Sequence, residues 1–210
     1  MKKLVITSVI TLALAASLHA APVSFDFKDP KGVNALQFSL DSLLEPIAGT
    51  AGGVSGTVSF DPANPAATSG KIVVATKSLV VPNATMTEHM LGNNWLDAAA
   101  NPEIVFQLSK LEGVSTAGNV TSATATGKFT LKGVTKEIKV PVKLTHLADA
   151  FGKRINKPEV KGDLLVLRGE FMIQRGDFGI QPGKNDDKVN PEIKISIAIV
   201  GSAPKALTSR

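Results

Sequence analysis

Hydrophobic and polar residues alternate with a period of two along most of the chain. The clearest run is residues 192–200, where every second residue from Ile193 to Ile199 is isoleucine and the residues between them are lysine, serine and alanine. A pleated strand places alternate side chains on opposite faces, so this run predicts a strand with one buried face. Runs of the same kind occur at residues 23–27, 36–40, 54–60, 72–74, 104–108, 129–131, 138–144 and 165–173. They predict about eight strands or more.

The connections between these runs predict one tight hairpin and one short helix. Lys132-Gly133 lies between the run that ends at Leu131 and the run that begins near Glu137, which is typical of an antiparallel hairpin. Residues 85–100 carry hydrophobic residues near helical spacing, and Asn83 or Thr87 is placed to cap a helix that ends before Pro102. The chain is therefore predicted to be all-β with one short helical segment.

An antiparallel sheet with one apolar face needs a second layer or must close on itself. The alternation alone leaves a sandwich and a barrel equally open. No linker or internal repeat divides the chain after residue 20, and its length fits one domain. We therefore expect a single domain over residues 21–210.

Residues 1–20 have the pattern of a secretory signal peptide. Lys2 and Lys3 precede an apolar stretch over residues 4–16, and Ala20 supplies a small residue at the cleavage site. Cleavage after Ala20 is predicted, with a periplasmic location for the mature protein. No later run approaches the roughly 18 apolar residues of a membrane-spanning helix, so no transmembrane segment is expected after cleavage. Loss of the two lysines lowers the formal charge from +5 to +3.

Composition removes several function classes. The chain has no cysteine, which excludes thiolate catalysis and Cys-ligated metals, and His89 and His146 are its only histidines after residue 20. It contains no phosphate-binding loop, nucleophile elbow or HExxH pattern. The acidic pair Asp186-Asp187 lacks calcium-loop spacing and predicts a charged turn. We predict no catalytic residue, no metal, no cofactor and no nucleic-acid partner.

Three segments resemble motifs of the YceI-like, polyisoprenoid-binding family, in that family's order. The first is residues 88–106, where a His-hydrophobe pair leads through an aromatic-x-Asp element to Pro-x-Ile-x-Phe. The second is residues 127–136, similar to the family's Gly-Val-Thr-Lys hairpin, and the third is the Ile-x-Arg-x-Asp-Phe-Gly-Ile box at residues 173–180. The resemblance extends from about Asp29 to Ala203.

The resemblance implies a lipocalin-like antiparallel barrel of eight strands whose lumen holds a polyisoprenoid or quinone-like lipid. The large apolar residues on the inward face are then the expected ligand contacts: Phe38, Phe60, Met90, Trp95, Phe106, Phe129, Phe171 and Ile173. Three polar residues are candidates for a headgroup contact or a structural role: His89, Arg175 and Asp177. The parity of the strand carrying Phe171 would also turn Arg175 and Asp177 inward if that strand stays regular.

Two other function classes remain open at this point. One is a structural or interaction module with a packed core, which would expose a large apolar patch. The other is a lipid-acting enzyme, which would place His89 or His146 beside a carboxylate inside a cavity. A homodimer also remains open.

Overall fold

The structure is a computed structural model that describes residues 21–205. The predicted signal peptide and its cleavage site after Ala20 lie outside the described residues. The strands are β1 (Val23–Asp26), β2 (Ala35–Asp41), β3 (Pro46–Ala51), β4 (Val54–Phe60), β5 (Ser69–Ala75), β6 (Leu79–Val80), β7 (Glu103–Ala117), β8 (Val120–Leu131), β9 (Val134–Leu147), β10 (Gly162–Gln174) and β11 (Glu192–Pro204). The helices are α1 (Ala84–Leu91) and α2 (Phe151–Arg154), with 3₁₀ turns at Pro65–Ala67, Thr76–Ser78 and Arg175–Phe178.

The strands form an eight-stranded closed antiparallel barrel in the order β1-β4-β5-β7-β8-β9-β10-β11, and β1 pairs with β11 to close it. Strands β2, β3 and β6 continue the sheet from β11 toward one end of the barrel. Closure pairs every strand of the ring and removes exposed edges. The predicted all-β, lipocalin-like barrel is confirmed, and the sandwich is excluded.

Strands β1 and β2 pair with different parts of β11, and one buried side chain fills the gap between them. Asn34, which is 3% exposed, donates from Nδ2 to the carbonyl oxygens of Phe27 (3.0 Å) and Val200 (2.9 Å). Its Oδ1 accepts from the backbone N–H of Val200 at 2.9 Å. The Asn34 amide therefore takes the place of missing strand-to-strand bonds along β11, as buried backbone groups require.

The predicted hairpin and the predicted short helix are both present. Leu131 pairs with Val134, and both turn residues have positive φ, 48° at Lys132 and 74° at Gly133, as a two-residue type I′ turn needs. Helix α1 is capped by the Asn83 side chain, which accepts from the Met86 N–H at 2.9 Å. The helix ends at Leu91, because Gly92 leaves the helical conformation, and residues 93–100 form mostly turns.

The two ends of the barrel carry different connections. At one end lie the β2–β3 loop at residues 42–45, helix α1, the β8–β9 hairpin and the long β10–β11 connection at residues 175–191. At the other end lie the β4–β5 connection, the β7–β8 hairpin and the segment containing α2. The first is named the open end and the second the closed end.

Candidate functional site: an apolar cavity open at one end

The barrel encloses a cavity of about 650 Å³ lined mainly by aliphatic and aromatic side chains. Its volume lies within the roughly 300–1,000 Å³ range of small-molecule sites. From Ile193 to Ile199 it follows β11 for six residues, which corresponds to roughly 20 Å at the rise of a strand. A cavity of this shape suits a long, narrow, apolar ligand.

Seven of the eight predicted apolar contact residues lie on the cavity wall. They are Phe38, Met90, Trp95, Phe106, Phe129, Phe171 and Ile173. The Phe129 ring packs edge-on against the rings of Phe171 and Phe178, at centroid distances of 5.9 and 5.5 Å. Such T-shaped pairs hold the rings in defined positions, so the side chains of this part of the wall are well ordered. Their contact with a ligand stays a prediction.

Phe60 is the exception, because it does not line the cavity. It is 1% exposed and belongs to the solid core of the closed end, where its ring centroid lies 6.3 Å from that of His146. Alternation places Phe60 correctly on the inward face of β4, but its buried side chain packs in the core and is not part of the cavity wall. The expectation that Phe60 lines the lumen is corrected accordingly.

The mouth of the cavity is polar and lies at the open end. Three segments supply its polar lining: Glu45 from the β2–β3 loop, His89 with Asn83 and Thr85 from the start and face of α1, and Asn185 with Lys188 from the β10–β11 connection. Outside these three segments the polar lining consists of Gln37, Thr68 and Lys71. Of the predicted polar candidates, His89 lines the mouth from α1, and Arg175 lines the cavity from the first position of the β10–β11 connection. The arrangement gathers hydrogen-bonding groups where the apolar walls end, as an amphiphile with one polar end requires.

Arg175 is a buried structural residue of the mouth. It is 1% exposed, and its guanidinium donates to the carbonyl oxygens of Ile180, Gln181, Lys184, Val189 and Asn190. It also donates to Asp186 Oδ1 at 2.5 Å. One side chain thus gathers the β10–β11 connection around itself, as the planar fork of arginine allows. The guanidinium carbon also lies 5.8 Å from the centroid of the Trp95 ring, within cation–π range.

Asp177 does not face the cavity and does not pair with Arg175. Strand β10 ends at Gln174 and the chain turns into a 3₁₀ turn over Arg175–Phe178, so the parity that would turn Asp177 inward is lost. Its carboxylate instead pairs with Lys136 at 3.1 Å on the surface, with both side chains about half exposed. The inward placement expected for Asp177 is therefore wrong, and the acidic partner of Arg175 is Asp186, from the predicted charged turn.

The closed end is sealed by aromatic packing and a buried polar cluster. Phe25, Phe27 and Leu165 have no exposed surface. The His146 ring packs edge-on against Phe25 at 6.0 Å, and His146 Nε2 lies 3.2 Å from Asp163 Oδ2. Neither residue of this pair lines the cavity. A histidine–carboxylate pair is thus present, but it lies away from the cavity rather than inside it.

Asp163 is kept ionised by its partners. Burial opposes its charge, but the backbone N–H of Asp149, Lys205 and His146 outweigh burial and hold the pKa of Asp163 below its usual range. The Asp149 N–H donates at 3.0 Å and Lys205 Nζ lies at 3.1 Å. The cluster ties the last described residue of the chain to the β9–β10 connection, which fixes the closed end.

The alternation pattern identified the apolar walls of the site but not the polar residues of its mouth. Inward residues of β9 and β11 line the cavity, such as Val140, Leu144 and Ile199, and alternation had placed them on the buried face. Glu45, Asn185 and Lys188 carried no signal, because they lie in irregular loops where no period exists. Their convergence at the mouth depends on the pairing of distant strands.

Across residues 21–205, no helix is long and apolar enough to cross a membrane. No group of three or more metal-ligating side chains gathers anywhere in that same range.

The fold and the site together define a closed antiparallel barrel with an apolar interior and a polar mouth, the architecture of small lipid-binding barrels. The model of the YceI-like domain matches residues 29–201, and the chain belongs to that family. The resemblance seen in the three sequence motifs is thereby confirmed.

Known proteins extend this relationship. A UPF0312 protein of Pseudomonas aeruginosa is 29% identical over 143 residues, which cover 66% of this chain and 72% of that protein. The fold is similar to the crystal structure of BcnA from Burkholderia cenocepacia, with a TM-score of 0.64 and 23% identity over 80% of this chain and 95% of the other. It is also similar to a polyisoprenoid binding domain from Saccharophagus degradans, with a TM-score of 0.62 and 12% identity over 87% and 99% of the two chains.

Proposed function

We propose that the protein is a periplasmic carrier that holds a polyisoprenoid, quinone-like or similar long-chain amphiphilic lipid in the barrel. The tail occupies the apolar cavity and the polar end sits at the mouth among Glu45, His89 and Lys188. The observation that carries the proposal is the continuous apolar cavity of about 650 Å³ with polar groups gathered where it opens. The signal-peptide pattern of residues 1–20 supports the location.

Burial of the tail supplies the driving force. Transfer of apolar surface contributes about 25 cal/mol per Å², so a tail that buries some 400 Å² gains on the order of 10 kcal/mol before the cost of ordering it. The rigid aromatic walls reduce that cost on the protein side. No chemical step is needed, and the proposal assigns the protein transport, storage or sequestration rather than catalysis.

The ligand class is suggested by the Saccharophagus degradans relative, which is a polyisoprenoid binding domain. The shared fold makes the same class the first one to test here. A packed-core interaction module is disfavoured by the cavity, and a lipid-acting enzyme is disfavoured by the position of His146 and Asp163 away from it.

Trp95 provides a direct test, because it is the only tryptophan of the chain and lies on the cavity wall. Titration with geranylgeraniol should change its fluorescence saturably at one molecule per protein. Geraniol, with the same headgroup and a shorter tail, should bind much more weakly because it buries less apolar surface. Equal affinity for the two alcohols, or no saturable change with either, would reject the proposal.

A further inference from the structure

Two leucines beside the cavity mouth are exposed to solvent and make little contact with the rest of the protein. Leu43 is 86% exposed and Leu44 is 59% exposed, and both lie in the β2–β3 loop at the open end. Leu40 and Ile47, on either side of the loop, line the cavity. The exposed pair therefore continues the apolar wall of the cavity outward, past the polar groups of the mouth.

The loop is braced, so the leucines are held outward. The Leu44 N–H donates to the Asp187 carbonyl oxygen at 3.1 Å. Asn190 completes the brace from the same connection: its backbone N–H donates to Ser42 Oγ at 2.8 Å and its Nδ2 donates to the Asp41 carbonyl oxygen at 2.7 Å. Ser42 is itself buried. The β10–β11 connection that Arg175 organises thus also fixes the direction of Leu43 and Leu44.

The charges on the loop and on the connection that braces it are balanced. Lys184, Lys188 and Asp187 are exposed on the connection, and Glu45 is half-buried in the loop. Asp186 is neutralised by its pair with Arg175. The surface is therefore apolar at its tip without a net charge to attract an anionic partner. Any association through this tip must be driven by burial of the leucines, with little dependence on salt.

We propose that Leu43 and Leu44 insert into the surface of a lipid bilayer and seat the cavity mouth on the membrane. This inference rests on the proposed function, since a long-chain lipid that leaves a bilayer directly into the cavity avoids exposing its tail to water. Two leucine side chains are far smaller than the roughly 800 Å² per partner of a stable protein interface. A bilayer needs no such area, and even one full acyl chain gives only reversible binding, so the docking is transient.

The test measures vesicle binding by sedimentation with phosphatidylethanolamine–phosphatidylglycerol vesicles at a ratio of three to one. The variant is Leu43→Ser with Leu44→Ser. The matched control is Val33→Ser, because Val33 is 64% exposed but lies in the β1–β2 connection, bonded to Asp29, which pairs with Arg154 of α2 at the closed end. The double variant should bind at least about fivefold less than wild type, the control should bind as wild type does, and raising the salt to 0.5 M should change wild-type binding little.

Three outcomes would overturn the proposal: no vesicle binding by the wild type, equal binding by the double variant, or a wild-type dimer that the double variant converts to a monomer. Circular dichroism confirms that the variants fold. Geranylgeraniol titration of Trp95 without vesicles separates this inference from the proposed function. If wild type and the double variant both take up geranylgeraniol but bind vesicles equally, membrane docking alone is rejected. If vesicle binding depends on the two leucines but neither protein takes up geranylgeraniol, docking is supported and the proposed carrier function is rejected.

Discussion

The two ends of one barrel are built from the same alternating strands but to opposite effect. At the closed end, Phe25, Phe27 and Phe60 are buried in the interior, and the partly buried His146 packs against Phe25 and pairs with Asp163. At the open end the walls enclose the cavity, and the β10–β11 connection is held together by Arg175. Under the proposed function, this asymmetry would let a lipid enter tail first and keep its polar end at the mouth.

The largest effect is expected where the open end depends on one residue. Arg175→Leu removes the donors for five carbonyl oxygens and for Asp186, and should destabilise the protein by about 3–5 kcal/mol. Arg175→Lys keeps the charge but not the fork, and should recover only part of this loss. Denaturant unfolding measures both, and hydrogen exchange should show the loss concentrated in residues 176–191. A change below about 1 kcal/mol would show that the connection is held by other contacts.

Adding a methyl group in the core of the closed end tests whether that part of the interior is tightly packed. A Cβ at Gly201 would lie 2.6 Å from Cε2 of the Phe27 ring, which has no exposed surface, so the buried ring would have to shift. Gly201→Ala should therefore cost about 1–3 kcal/mol in the free energy of unfolding. Thermal unfolding provides the measurement, and an unchanged stability would mean that the closed end is not packed as described.

A larger side chain on the cavity wall should not lower the stability of the protein, but it should weaken ligand binding. Ala125 lines the cavity on β8, and Ala125→Leu adds carbons to open space. The unliganded protein should be as stable as wild type or up to about 1 kcal/mol more stable. Affinity for geranylgeraniol should fall about tenfold, or about 1.4 kcal/mol, by Trp95 titration. Stability loss without an affinity change would contradict an open lumen at this depth.

Acid should loosen the closed end through Asp163. Its folded pKa is depressed, so the stability it contributes is complete above the unfolded value near 4 and is lost as pH falls through the lower folded value. Asp163→Asn should lower stability by about 1 kcal/mol at pH 7. The difference between variant and wild type should shrink as pH falls below about 4, measured by urea unfolding between pH 7 and pH 2. A difference that stays constant over this range would show that Asp163 does not titrate as described.

The smallest effect is expected at Asp177, the other charged residue of the Ile-x-Arg-x-Asp-Phe-Gly-Ile box. Asp177→Asn removes only a half-exposed pair with Lys136, and should change stability by no more than about 0.5 kcal/mol. A loss comparable to that of Arg175→Leu would show that the two residues act together after all. Denaturant unfolding of the single and double variants decides this.

Alternation predicted which residues face the interior of the barrel, but not how far along the barrel the cavity extends or which residues form its mouth. A period of two tells which face a residue occupies, and it placed Phe38, Phe106 and Ile173 inward. It carries no information on how far along the axis the interior is filled, which is why Phe60 was expected in the cavity. Depth depends on the register between strands far apart in the chain, such as the β1–β11 pairing of Asp26 with Ser202 that closes the ring.

The residues of the mouth lay beyond the reach of the pattern for a different reason. Asp177 shares the parity of Phe171 and Ile173, but a strand that ends at Gln174 no longer imposes that parity. Glu45 and Lys188 are brought to the mouth by the pairing of β2 with β11 and by hydrogen bonds between the loops that carry them. Such contacts have no sequence period, and the motif around Arg175 indicated a structural or headgroup role without naming its partners.

The most direct test of a lipid cavity entered from one end is native mass spectrometry of the protein purified without detergent. One long-chain lipid per protein is expected, extractable into organic solvent. The occupied fraction should fall in Ala125→Leu. A protein that carries no lipid and that also fails to take up geranylgeraniol would contradict the assignment of the cavity as a lipid site.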